Sequence, residues 1–591
     1  SQRHRNEPYM KQHTFWLPTG NSGAVFAHWF DVDTHRAPPV VLCHPIGPEY
    51  MHCHTTLRQL ALQLQAAGQA ALVFDLPGYG NSSGQLTEPG ILGDWEQALI
   101  AVTGWVHRTC DLAPALLAMR ASCLLTPAVI SRCQLAGLVW WYPHTRGQTF
   151  VRDLNLIDRQ LHSEAPDDAP CLTGGGYPMH RDTAAQLEQR SLTVEPDYPL
   201  NTLVIHTPEQ KRIAALAGLE AAGGQIERIS STALSGMARQ AEASVVPQQD
   251  IEHLIAWLGS QPRTANAQQL EKPAPKESWQ SAGCTETSLR AGAVFGILTR
   301  PLRSASTAPW VLIPNTGAGH HAGPNRLHVD LARQLAAQGI ASVRLDLAHL
   351  GDSPQQAQAL SNEAYNLTGR DDLATMARAV IDLGAPAVTL LGVCAGAYNA
   401  FQAALAHPDV PVAGLTLINV QTLYWQEGDD SRMPSGAQSA LTSAQYAQSS
   451  SNPKAWLRLL TSPQKWVNVG RYLVSRVGAV ALSARNRLTR QRSPLERDLS
   501  RLTERGLVVR FVFSPDEPGL AALQEAGGHT LAQLIRIGQV SWDQVEQADH
   551  TFTTGVSRQR LIDHLCQQLA LVDHSSSTLS TTGLRAESQA S

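Results

Sequence analysis

No apolar run in this chain reaches the roughly 20 residues that a membrane-spanning helix needs, although 43% of its residues are apolar. Cysteine is sparse and scattered: nine Cys in 591 residues, without paired metal-ligand spacing. That pattern argues against a disulfide scaffold and fits a reducing compartment. None of the 22 His falls in an H-E-x-x-H pattern, no Walker motif is present, and no G-x-G-x-x-G follows a strand-like run. Zinc-protease, P-loop and dinucleotide chemistry are therefore set aside, and no cofactor or metal is expected. Basic charge is also short: 46 Lys and Arg stand against 50 Asp and Glu, for a net charge of -4. Without a pervasive basic face, nucleic acid is not an expected partner. The opening residues, Ser1 to Lys11, are polar and carry no signal-like apolar core, so a cytoplasmic setting is expected.

What the chain has is a repeat. Val40-Val41-Leu42-Cys43-His44-Pro45-Ile46-Gly47 has its counterpart in Val311-Leu312-Ile313-Pro314-Asn315-Thr316-Gly317, each a buried strand entering a Gly/Pro loop. Helical patterns follow over Thr55 to Gly68 and Arg326 to Gly339. Strands then end at Asp75 and at Asp346, and turns close at Ser82 and Ser353. A constant offset of about 271 residues across three landmarks is the signature of one supersecondary plan used twice. Strand–helix–strand alternation predicts a mostly parallel α/β sheet in each half. The grouping Cys43, His44, His52, Cys53 and His54 resembles a metal set, but the repeat explains it as a strand-end loop. The expected domains are 13–260 and 281–572, joined by a Pro/Gln/Lys/Ala-rich linker at 261–280, with a Ser/Thr-rich disordered tail at 573–591.

The second half carries the chemistry. Gly392-Val393-Cys394-Ala395-Gly396 sits between a strand-like run and a helix-like one, the setting of a nucleophile elbow with Cys at the nucleophile position. The helix that follows points its N-terminus at the thiol, which favours a thiolate and a developing oxyanion. Thr316 or Gly317 would supply one backbone N–H of an oxyanion hole and Ala395 the other. A late strand, Gly506 to Ser514, ends at Asp516 and Glu517, the place for a triad acid. His550, on a loop before a final helix, stands where the base belongs. Cys394 would attack a carbonyl carbon, His550 would shuttle the proton, and the carboxylate would orient the imidazole.

Asn315-Thr316-Gly317, His320-His321, Gly323-Pro324-Asn325-Arg326, Gly392-x-Cys394-x-Gly396-Ala397-Tyr398 and Asn419-x-Gln421-Thr422-x-Tyr424-Trp425 together resemble bacterial serine aminopeptidase (S33)-like α/β-hydrolases. The resemblance implies two tandem α/β-hydrolase domains, an ester or thioester substrate, and a role in polysaccharide or secondary-metabolite biosynthesis. It points to His320, His321 and Tyr398 around a bound substrate. In that family the acid precedes a Pro-Gly step, which here indicates Glu517, with Asp516 one residue away. A cap is expected over about 424–492, rich in Arg, where Arg471 and Arg476 could grip an anionic substrate arm or an anionic lipid surface.

The first half resembles the exosortase-system-associated hydrolases through Cys43-His44-Pro45 and Leu138-Val139-Trp140-Trp141-Tyr142-Pro143. Its elbow reads Ala118-Met119-Arg120-Ala121-Ser122, without either glycine and with Arg at the nucleophile position. No His precedes its last helix. It reads as a pseudo-enzyme able to bind a protein partner. An acyltransferase using the same triad, or a non-catalytic scaffold, are the competing readings of the whole chain.

Overall fold

The computed structural model describes residues 11–20, 23–210, 212–264, 274–281, 283–303, 307–354, 363–426 and 492–583, the backbone alone over 571–583. Most of the expected cap, with Arg471 and Arg476, lies outside them. The strands in chain order are β1 (Gln12–Gly20), β2 (Gly23–Phe30), β3 (Val40–Cys43), β4 (Ala71–Phe74), β5 (Ala115–Met119), β6 (Gly137–Trp141), β7 (Cys171–Leu172), β8 (Met179–His180), β9 (Thr202–His206), β10 (Ile226–Ser230), β11 (Ser278–Ser281), β12 (Cys284–Ala291), β13 (Val294–Pro301), β14 (Trp310–Ile313), β15 (Ser342–Asp346), β16 (Val388–Val393), β17 (Val412–Ile418), β18 (Val508–Phe513) and β19 (Val540–Gln544). Contacts divide the chain into two compact units. One is drawn from Ser1–Ser306, Ala318–Asn362 and Thr551–Ser591, the other from Thr307–Gly317 and Glu363–His550.

The α/β class expected from the alternation holds. In the first unit an eight-stranded sheet runs in the order β1-β2-β4-β3-β5-β6-β9-β10. Its first two pairings are antiparallel and the rest parallel. Strands β3, β5, β6 and β9 are buried on both faces, which is why they read as unbroken apolar runs rather than as alternation. The helices Glu49–Ala66, Ile91–Cys110 and Gln248–Gly259 flank it. The same unit holds the antiparallel ladder β11-β12-β13-β15. The second unit is a parallel ladder, β14-β16-β17-β18-β19. That ladder matches β3-β5-β6-β9-β10 strand for strand, as the 271-residue repeat requires.

The repeat extends to single hydrogen bonds. Asn81 N–H donates to Asp75 Oδ2, and Ser82 Oγ bonds Asp75 O and accepts from Phe26 N. In the later copy Asp352 N–H donates to Asp346 Oδ2, and Ser353 Oγ bonds Asp346 O and accepts from Phe295 N. Gly80 (φ 46°) and Gly351 (φ 49°) turn beneath these carboxylates, where a β-carbon would overlap the Asp side chain. Both turns are closed by the same set of hydrogen bonds to the Asp that ends the strand.

The tips of the two turns are exchanged within the first unit. Asn81 reaches residues of the later copy: its Oδ1 accepts from Arg344 Nη2 (3.0 Å) and its Nδ2 meets His321 Nε2 (2.8 Å). Asp352 reaches residues of the earlier copy: His28 Nε2 at 3.1 Å, His54 Nε2 at 3.2 Å and the Arg58 guanidinium at 3.5 Å. Burial opposes the charge on Asp352, but His28 and His54 hold its carboxyl well below the usual range. Nearby, Glu286 bridges Arg333 and Arg344, with its oxygens at 2.7 and 2.9 Å. Of the stretch read as a linker, both ends are ordered. Gln261 is buried and bonds Asn201 and Trp257, and Lys276 exchanges backbone hydrogen bonds with Trp16.

Removing one member of a buried ion cluster strands the others, a cost of about 3–5 kcal/mol. Asp352→Ala should therefore lower unfolding stability by about that amount, read from the urea midpoint. A midpoint within error of the wild type would reject the exchange as a stabilising contact.

Candidate active site

Strand β16 delivers Cys394 to its carboxyl end, and the helix Ala395–Ala406 begins at the next residue. Between them Cys394 takes φ 55° and ψ -117°, a conformation that a non-glycine residue occupies at a cost of order 1–3 kcal/mol. Both elbow glycines are required by contact. A β-carbon on Gly392 would overlap the carbonyl of Gly396 and the nitrogen of Ala397, and one on Gly396 would lie 2.6 Å from Asn315 O. The loop after β14, which carries Asn315, Thr316 and Gly317, therefore passes directly against the start of the helix. Ala395 N–H, in the first turn, has no acceptor within the helix. This places both expected oxyanion donors beside the elbow.

Glu517 and His550 follow strands β18 and β19 of the same ladder. Glu517 Oε1 stands 2.8 Å from His550 Nδ1, with its side chain buried. Asp516 turns away on φ 60° and makes no hydrogen bond or ion pair with His550. Of the two carboxylates left open by the sequence, Glu517 is thus the one that meets the imidazole. Pro518, at the first position of the helix Pro518–Arg536, fixes the exit of that loop. Burial would lower the pKa of His550, but hydrogen bonds to Cys394 and Glu517 outweigh it and lift the imidazole to about 10. The arrangement favours the charged form of the His550 imidazole.

One residue welds this geometry. Asn419, at φ 46° just past β17, donates from Nδ2 to His550 O and Ser514 Oγ, both at 2.8 Å, and accepts from Ser514 N–H at 2.7 Å. Ser514 Oγ in turn donates to Asp549 O (2.8 Å). The nucleophile's neighbouring strand, the acid loop and the base loop are tied through one amide. The next residue but one, Gln421, brings its amide to 3.4 Å from His550 Nε2. Tyr365 Oη lies 3.9 Å from Cys394 Sγ, and its buried ring packs at 5.4 Å from that of Tyr398. Asn419 and Gln421 stood in the motifs read from the sequence without a role. Tyr365 had no local signal, since only the fold carries it to the thiol.

His320 and His321 belong to the other unit. His321 is fully buried: Nδ1 bonds Asp346 at 2.7 Å and Nε2 meets Asn81. His321, Asp346 and Asp352 bring ligand-type atoms within 4.8 Å of one another. Arg344 can only donate to Asn81 Oδ1, so Asn81 Nδ2 must donate to His321 Nε2. The imidazole proton then sits on Nδ1, facing Asp346, where a metal would need a lone pair. The trio is built as a hydrogen-bonded network.

In the first half the elbow survives as shape: Arg120 keeps φ 53°. Its Nε donates to both oxygens of Glu49 (2.9 and 3.0 Å) and Nη1 to Tyr142 O (3.0 Å). Ser122 is fully buried and bonds the backbone of Met119. Where a base would stand, the helix Gln248–Gly259 begins with Gln248 bonded to Gln63.

No protein-family model and no curated protein matches the chain. Solved structures overlap it in part. The α/β hydrolase GrgF from Penicillium sp. sh18 aligns at 13% identity and TM-score 0.31, over 42% of this chain and 98% of its own. Carboxyl esterase 2 from the mycorrhizal fungus Tuber melanosporum aligns at 14% and 0.29, over 51% and 89%. VinJ aligns at 16% and 0.28, over 42% and 99%. Likeness at these scores carries no function to this chain, whose fold is read from its own ladders.

Replacing Glu517 by Gln removes one of the two partners that raise His550. Its pKa should fall from about 10 toward the ordinary value of about 6.5, as read from imidazole 15N shifts against pH. An unchanged titration would rule out Glu517 as the partner that charges the imidazole.

Proposed function

We propose that the chain is an acyl-group hydrolase that opens ester or thioester bonds through a covalent intermediate on Cys394. The observation that carries this is that Glu517 bonds His550, that His550 is raised by Cys394 and Glu517, and that Cys394 sits on a strained elbow at the start of a helix. The thiolate attacks the substrate carbonyl carbon, and the oxyanion is received by Ala395 N–H and an N–H of the Thr316–Gly317 loop. As the carbon–oxygen or carbon–sulfur bond breaks, His550 gives its proton to the leaving group. Glu517 keeps the imidazole oriented and charged through Nδ1. A thiol nucleophile forms a thioester, which is more reactive toward a second nucleophile than an oxygen ester and suits activated acyl donors over amides. Polysaccharide or secondary-metabolite biosynthesis is the pathway class we assign.

Labelling with iodoacetamide tests the thiolate. Among the nine free cysteines only Cys110, Cys171 and Cys394 are even partly exposed, so adducts are separable by mass spectrometry. Cys394 should alkylate at neutral pH at least about tenfold faster than Cys110 or Cys171, as a thiolate paired with an imidazolium does. His550→Ala should remove that advantage, and p-nitrophenyl acetate should release a burst of one nitrophenol per chain that Cys394→Ala abolishes. Slow labelling at Cys394, indifferent to His550, would sink the proposal.

A further inference from the structure

Resting on that reading, we infer that Gln421 selects the nucleophile of the second step, favouring an acceptor with two exchangeable protons, water or a primary amine, over an alcohol. Gln421 is firmly placed. Two residues before it, Asn419 is bonded to Ser514 and to His550 O. One residue before it, the carbonyl of Val420 packs so closely on Gly519 that a β-carbon there would overlap it. Its side-chain amide lies 3.4 Å from His550 Nε2, the ring nitrogen not engaged by Glu517.

In the acyl-enzyme the sulfur carries no charge, and His550 is neutral, with Nδ1–H on Glu517 and a lone pair on Nε2. In the acyl-enzyme Gln421 Nε2 can donate to that lone pair. An incoming acceptor displaces this contact, and the amide, turned over, presents its carbonyl oxygen at the same point. Water or a primary amine then gives one X–H to His550 Nε2 and the other to Gln421 Oε1, which aims its lone pair at the acyl carbon. The carbon–oxygen or carbon–nitrogen bond forms as His550 takes the first proton. Collapse of the tetrahedral intermediate breaks the carbon–sulfur bond, the electron pair returns to Sγ, and His550 keeps the proton as the imidazolium of the resting site. An alcohol has only one such proton and leaves the Gln421 oxygen unsatisfied, a mismatch that a buried polar group penalises.

The test is product partition from p-nitrophenyl acetate with water, glycinamide and n-propanol as competing acceptors, in wild type, Gln421→Leu and Gln421→Met. Loss of one well-placed hydrogen bond should slow transfer to water and to glycinamide about tenfold. Partition toward propanol should therefore rise about tenfold relative to water and glycinamide, a ratio that does not depend on how fast the acyl-enzyme forms. A burst at wild-type amplitude with all three acceptors slowed equally, or none slowed, overturns the role of Gln421 and leaves Cys394 as nucleophile. Absence of any burst in the wild type overturns both. The two variants guard against a packing defect, since either one that keeps the burst is folded at the site.

Discussion

Everything at the site depends on how closely two backbones approach at the elbow. Gly392 and Gly396 leave no room for a β-carbon, and the loop after β14 fills the space a side chain would take. At that closeness Cys394 takes a positive φ of 55°. The same closeness sets the loop with Thr316 and Gly317 beside the helix start. A strained residue persists only where its surroundings over-determine it, and here helix, strand and loop all bear on it.

The second organising contact is Asn419. Its single amide joins the strand beside the nucleophile to both loops that carry acid and base. Placing charged partners on loops would ordinarily cost precision, because loops move more than the elements they join. Three hydrogen bonds from one buried side chain remove much of that freedom. The imidazole is then charged by two neighbours at fixed positions, which is what raises it to about 10.

Much of this was legible beforehand. The repeat, the alternation and the order of elbow, acid and base follow from residue types at fixed spacing. Periodicity could not choose between Asp516 and Glu517, because the choice is made by a left-handed φ at Asp516 and the helix that starts at Pro518. Arg120 is the reverse case. The missing glycines suggested a lost elbow, yet the turn keeps φ 53° and spends the guanidinium on Glu49 and Tyr142. Tyr365 and the bonds of Asn81 and Asp352 join residues far apart in the chain, and no local pattern announces such pairs. The arginine-rich stretch with Arg471 and Arg476 lies outside the described residues.

The exchanged turn tips make the repeat indivisible. A duplicated unit usually retains the option of standing alone, but here each copy keeps a polar key whose lock is in the other. A fragment ending near residue 260 would leave His28, His54 and Arg58 without Asp352, and a fragment starting near residue 281 would leave His321 and Arg344 without Asn81. Each copy thus completes the buried polar cluster of the other, so a cut between them would open both clusters at once.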